Sequence, residues 1–195
     1  MSDADLLRRL TVLEALGERL KTRESSVAAA VLDEQDPAAG VGSVTLTPAG
    51  SYHSLWIVWT GRGDTAALAV SLFLRFNGDS GANYDYSLNE VASSANTPVT
   101  TTAASGVRCG AMAAASAAAG LAGSGDIVIP HYAGTTLQKH IRYNCAFRTG
   151  TTAADIVMED GGGNWRNTAA ITSIVVVPNT GNFAAGCRFT LYGLP

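Results

Sequence analysis

The side chains that could do chemistry are few and widely spaced. His53, His131 and His140 lie at none of the short spacings that bring two imidazoles onto one metal, so each reads as a surface residue or a satisfied core residue. Cys109, Cys145 and Cys187 are odd in number and form no CxxC pair, which points to buried free thiols rather than a disulfide frame or a zinc site. Asn77, Asp79, Asn83 and Asp85 offer oxygen ligands to a hard cation, but the alternating ligands and terminal bidentate Glu of an EF-hand loop are missing. The expected use of these side chains is to satisfy backbone groups in a turn. No GxSxG elbow accompanies the serines, and no carboxylate pair stands in a glycosidase context. The expectation is a non-enzymatic protein with no catalytic group, no metal and no cofactor.

Two further motifs invite functional readings. Gly161-Gly162-Gly163-Asn164 is glycine-rich like a phosphate loop, but it fits neither GxxxxGK[ST] nor GxGxxG and no helix is predicted after it, so it reads as a flexible turn. Arg62-Gly63-Asp64 spells a cell-adhesion tripeptide, although Gly and Asp are what any tight turn selects.

Composition narrows the partners. Charged residues make up only 15% of the 195, so much of the surface must be small and neutral, which suits close packing against other copies. A net charge of -3 supplies no basic footprint for nucleic acid and no polybasic signal for a membrane surface. The opening MSDADLLRRL starts with acids and lacks an apolar h-region, so a protein made in a cytoplasm is expected.

The elements that must position these residues change character along the chain. From Asp3 to about Thr22 the pattern is helical, with acids in the first turn and Arg19, Lys21 and Arg23 at the end. Leu6, Leu10, Leu13 and Leu20 follow a heptad seam with Gly17 in the remaining slot and Leu7 and Leu16 flanking, which reads as a short oligomerisation helix, marginal alone, or else as a lone amphipathic helix folded back on its own domain. A second helical piece is predicted over Glu24 to Asp36, ended by Pro37, with a linker to Gly42. Residues 1–40 therefore read as an arm and 41–195 as a β-domain.

Beyond the linker the period is that of strands. His53–Thr60 is apolar on both faces, as in a strand central to a sandwich or covered by a neighbour. Ala67–Phe76, a strand restarting at Tyr84 and Tyr86, Val107–Ala113 and then a loop, Asp126–Pro130, Thr136–Phe147 and Ala153–Met158 follow. Ala170–Gly193 combines a β-branched run, the turn Pro178–Gly181 and a second alternating run, and reads as a closing hairpin. The fold class expected is mainly β, an antiparallel sandwich preceded by a short helix.

Three pieces carry a family likeness: Leu74-Arg75-Phe76-Asn77-Gly78-Asp79-Ser80-Gly81-Ala82-Asn83-Tyr84, Ala170-Ile171-Thr172-Ser173-Ile174 and Gly186-Cys187-Arg188-Phe189-Thr190-Leu191-Tyr192-Gly193. They resemble the β-sandwich modules of tailed-bacteriophage head decoration and minor tail proteins over about residues 44 to 194. A Ser often follows the glycine where this chain has Cys187. The resemblance implies a jelly-roll-like sandwich, a homotrimer attached to a virion. The first functional expectation is a capsid decoration protein bound to the major capsid protein lattice or another virion protein, with Phe183, Ala184, Ala185 and Gly186 as a candidate interface loop. The alternative is a tail, baseplate or fibre component that binds a host surface glycan. Trp165, Tyr84 and Tyr86, with Trp56 and Trp59, are the sugar-stacking candidates if exposed, although their alternation within strands favours burial.

Overall fold

The computed structural model describes residues 29–93 and 95–195, together with Leu13, Glu14 and Leu16. Twelve strands run in chain order: β1 (Ala30–Gln35), β2 (Val44–Leu46), β3 (Ser54–Gly61), β4 (Ala69–Phe76), β5 (Tyr84–Ala92) and β6 (Ala95–Ala104), then β7 (Val107–Ala113), β8 (Gly123–Pro130), β9 (Lys139–Arg148), β10 (Ile156–Trp165), β11 (Ile174–Pro178) and β12 (Arg188–Leu194). They form an eight-stranded sheet, β1-β12-β3-β8-β9-β10-β5-β6, and a four-stranded sheet, β2-β11-β4-β7. Every pairing is antiparallel.

The pairs nest. β5 pairs with β6, β4 with β7, β3 with β8, β2 with β11 and β1 with β12, as if one long hairpin had been wound up, with β9 and β10 inserted after β8. That winding carries the chain back and forth between the sheets, which makes the expected jelly-roll-like sandwich.

Alternation explains the core. Leu55, Ile57 and Trp59 of β3 and Val70, Leu72, Leu74 and Phe76 of β4 point inward and are buried, while Trp56 and Val58 are half-buried on the outer face. The sheets approach closely because glycine stands where they meet: a Cβ on Gly110 would lie 2.8 Å from the Trp59 ring. Asn77 has φ 53, and its side-chain oxygen accepts from the backbone N–H groups of Thr172 and Ser173. The Asn77–Asn83 loop thus satisfies backbone groups with its own side chains, as expected. Lys139, on the inward face of β9, is buried because its ammonium donates to the carbonyls of Gly134, Leu137 and Thr168.

Several expectations are corrected. Ala30, Val31 and Leu32 are not helical: they begin β1, which the free edge of β12 recruits into the large sheet, so the sheet takes in residues that precede Pro37. Gly161–Asn164 is not a turn but lies within β10, in its second half, paired on both sides with β9 and β5. Ala170–Gly193 is not a hairpin: β11 pairs with β2 and β4 in the small sheet, whereas β12 pairs with β1 and β3 in the large one. Ala95–Ala104, rich in Thr and not read as a strand from the sequence, forms edge strand β6, built by hairpin pairing with β5 rather than by burial. The helical seam residues Leu6, Leu10 and Leu20 lie outside the described residues. Leu13 and Leu16 are helical, and exposed by 65% and 47%.

Candidate functional site

The outer face of the large sheet is where the chain departs from an ordinary solvated surface. Strand β10 shows how. Ile156-Val157-Met158 places three apolar residues in succession, so the period of two must turn some of them to water. Val157 faces in and is buried, while Ile156 and Met158 face out, 44% and 57% exposed. Met158 stands opposite Val91 of β5 and Ala146 of β9, and Val91 is itself 43% exposed. The three line a concavity of about 660 Å³ whose polar rim includes Asn89, Asn144 and Asp160.

Two other features share this face. A second concavity of about 430 Å³ lies over Gly162 and Gly163, walled by Ser87, Thr100, His140 and Asn164. The Ser87 and Thr100 hydroxyls are 3.0 Å apart, and Asn164 donates to Gln138 at 2.9 Å. Glycine is required in its floor, since a Cβ on Gly163 would fall 2.3 Å from the Asp85 carbonyl oxygen. Toward the other edge, Trp56 and Tyr192 sit opposite one another in register with ring centroids 5.2 Å apart. The Trp56 indole N–H donates to Asp126 at 3.2 Å, which holds that ring in place.

Beneath the apolar concavity the pattern inverts. Glu159 points into the core and is 1% exposed. Arg108 of β7 reaches between the sheets to pair with it and with Glu90, the latter at 3.2 Å, and the Tyr143 hydroxyl lies 3.4 Å from Glu159. Burial pushes the Glu159 carboxyl up, with the Arg108 guanidinium pulling it back. Burial likewise raises the Tyr143 phenol, the Cys109 thiol, and the Cys145 thiol to about 12. A thiol so raised is protonated at neutral pH, and the cluster ties strands β5, β7, β9 and β10 together across the two sheets. All three cysteines are buried and free.

The candidates named from sequence fall in different places. Trp165 and Tyr84 are core residues, 2% and 0% exposed, stacked on one another at 6.4 Å and packed on Phe76. The Trp165 N–H donates to Asp79 at 2.7 Å, and the Tyr84 hydroxyl donates to the Asp79 carbonyl at 2.9 Å, so neither offers a face to a sugar. Tyr86 is half-buried, its ring set edge-on to Phe73 at 6.0 Å. Phe183 is fully buried against Phe189, with centroids 5.0 Å apart, and bridges to Val41 and Gly63, so its loop presents only Ala184, Ala185 and Gly186. The Arg62-Gly63-Asp64 tripeptide is not displayed for adhesion: Arg62 donates to the carbonyls of Ala117, Ala118 and Leu121, and Asp64 accepts from Asn182. Among the described residues no group of three His, Cys, Asp or Glu is placed to hold a metal ion, and no helix is long and apolar enough to cross a membrane.

Sequence reasoning missed Val91 and Met158. The signal was there in the Ile156-Val157-Met158-Glu159 run, where a carboxylate follows three apolar residues and one face has to break the usual rule.

No known protein family and no curated protein matches this sequence. Among solved structures, a fructofuranosidase variant from Schwanniomyces occidentalis complexed with fructosylnystose aligns at 7% identity and TM-score 0.17 over 78% of this chain. The chain spans 34% of that protein's length. The CBM2 module of the evolved Dit of Lactobacillus casei BL23 phage J-1 aligns at 8% identity and TM-score 0.16, over 86% of this chain and 77% of the module. The Clostridium perfringens CspB protease aligns at 11% identity and TM-score 0.14, over 80% of this chain and 26% of the protease. At such scores none of these likenesses carries an argument about this chain.

Proposed function

We propose that the chain is a non-enzymatic structural protein of a tailed-phage particle, a decoration protein that forms a homotrimer and is held on the major capsid protein lattice. The observation that carries this reading is the apolar strip of Ile156, Met158 and Val91, set bare on the outer face of the large sheet. Burying apolar surface contributes roughly 25 cal/mol per Å², and a contiguous exposed strip of this kind marks a contact surface. A threefold assembly on a quasi-threefold lattice point would multiply weak contacts by avidity. The resemblance of residues 44 to 194 to phage decoration and minor tail modules supports the same reading. The partners are then other copies and a virion protein, with no role for nucleic acid or a membrane surface, and the location is the virion, assembled in the host cytoplasm. The test is the position of the protein in a reconstruction of the virion: density over the capsid lattice is expected, and density confined to the tail tip sinks the reading.

A second reading, a tail, baseplate or fibre component that binds a host surface glycan, is favoured by the half-exposed Trp56–Tyr192 pair, whose indole is fixed by Asp126. Aromatic faces of this kind stack on sugar rings. Binding on a glycan array that Trp56→Ala abolishes would support it; a blank array and unchanged host adsorption would remove it.

A further inference from the structure

We propose that the outer face of the large sheet binds a linear acidic oligosaccharide laid across the strands, one ring stacked on Trp56 and Tyr192 and its acidic group met by Arg142. The inference rests on the second reading, in which that aromatic pair takes a host glycan, and goes beyond it in naming the ligand class, its direction and the cation that selects it.

Strand register puts the parts in one line. Tyr192 of β12 stands opposite Trp56 of β3, Trp56 opposite Val128 of β8, and Val128 opposite Arg142 of β9. Arg142 is in turn opposite Gly162 of β10, Gly162 opposite Ser87 of β5, and Ser87 opposite Thr100 of β6. Period two sets this row on the outer face, since the adjoining Leu191, Ile57, Ile127, Ile141 and Leu88 are buried in the core. The row therefore changes chemistry as it crosses the sheet: aromatic and aliphatic side chains, then a cation, then a gap with no side chain, then two hydroxyls.

Each part suits a different piece of a saccharide. The aromatic pair is half-buried, and Asp126 holds the indole by accepting its N–H at 3.2 Å, so a stacking platform is already in place. That carboxylate accepts hydroxyls and repels acids, so the ring stacked there is a neutral one. Arg142 is exposed and enters none of the ion pairs among the described residues. Its guanidinium can hold a carboxylate by two parallel N–H bonds. Beyond it, the concavity of about 430 Å³ over Gly162 is open because no side chain rises from its floor, and Ser87, Thr100, His140 and Asn164 wall it with donors and acceptors. The Asp85 carboxylate in the same wall is engaged, pairing with Arg166 at 3.5 Å and accepting from the Ala103 amide at 3.0 Å.

The span sets the ligand's length. Three strand spacings separate Trp56 from Gly162, roughly 14 Å at about 4.8 Å each, so one sugar ring cannot touch both ends and a short chain can. An extended acidic peptide fits less well. Such a peptide takes its hydrogen bonds from a sheet edge, whereas β3, β8, β9 and β10 are paired on both sides.

The test is an array of disaccharides and tetrasaccharides of a hexuronic acid and of the matching neutral hexose, probed with the full-length chain and followed by titration. The uronic tetrasaccharide is expected to bind on the order of tenfold or more tighter than the neutral one, as a charge-assisted pair requires. Arg142→Gln should bring the two within about twofold. Ser87→Ala/Thr100→Ala should weaken the tetrasaccharide roughly tenfold more than the disaccharide, which is too short to reach the hydroxyls from the platform. All three side chains are exposed, so these variants keep the fold. Equal affinity for acidic and neutral chains, or a preference that survives Arg142→Gln, overturns the proposal. So does a glutamate tetrapeptide bound as tightly as the uronic tetrasaccharide, because charge alone is then being read. Sugar binding that Trp56→Ala abolishes but the Ser87 and Thr100 changes leave unmoved removes the row across the sheet and keeps the second reading; a blank array removes both.

Discussion

Two carboxylates near opposite ends of β10 have been pushed in opposite directions. Asp79 sits near the surface beside Trp165, and accepts from the Trp165 indole, the Gly81 amide and Asn83; these donors hold its carboxyl below the ordinary aspartate range. Glu159, six residues before Trp165 on the same strand, is taken out of water between the sheets, and that burial pushes its carboxyl up in spite of Arg108. Hydrogen-bond donors at a wet edge favour the charged form, while desolvation disfavours it even beside a guanidinium. The outer face follows the same division: apolar Met158 and Ile156 lie over the buried charge, and polar Asn164 lies beside the buried Trp165. One end of the strand is thus chemically inside out, and that is the end proposed as a contact.

The largest effect expected from testing this contrast comes from Arg108→Met, which leaves Glu159 buried without its cation and should cost about 3–5 kcal/mol in denaturant unfolding. The double variant Arg108→Met/Glu159→Leu should recover to within about 1 kcal/mol of the parent, because an apolar pair no longer carries the desolvation cost. A double variant as weak as the single would show that the pair, not the unpaired charge, matters. Next is Trp165→Phe, which keeps most of the ring but removes the N–H to Asp79; a loss of about 1.5–3 kcal/mol is expected in the same measurement.

The pH dependence should then separate the two acids. Asp79 has a folded pKa below its unfolded one, so its contribution is present above the unfolded value and is lost as the pH falls through the folded one. Glu159 has a raised folded pKa: its contribution is complete below the unfolded value and declines as the pH rises through the folded one. Stability measured against pH for Asp79→Asn and Glu159→Gln should therefore differ from the parent with opposite slopes, and parallel profiles would break the comparison. The smallest effect on folding belongs to Met158→Asp, expected within about 0.5 kcal/mol because the side chain already faces water. A large loss there would show that the strip serves the fold and not a partner.

Much of the fold was legible in the chain because alternation is a local signal. Val107–Ala113 was read as a strand despite the alanine run that follows it, and the buried faces of His53–Thr60 and Ala67–Phe76 followed from period two, apart from Leu68, which is exposed just before β4 begins. The burial of Trp165 and Tyr84 was favoured by the same rule. Inferences from composition, and from nearness along the chain, are the ones that failed. Gly161–Gly163 looked like a turn because glycine is common in turns, yet here each missing Cβ lets neighbouring backbone come within 3 Å of where it would stand. Pro178–Gly181 did supply a turn, but a turn does not say which sheet receives the next strand.

Residue types and their alternation by themselves determined a mainly β chain with strand faces assigned, free buried cysteines, and a loop at Asn77–Asn83 that bonds to its own neighbours. Tertiary structure alone decided the nested pairing that splits β11 from β12, the recruitment of residues 30–35 into β1, and the meeting of Arg108 with Glu159 across 51 positions of sequence. It also decided that Met158 and Val91 lie side by side facing water. The physical reason is that a strand's faces are set by its own period, whereas its neighbours are set by which hydrogen-bonding edges remain open once the sheets have closed over the core.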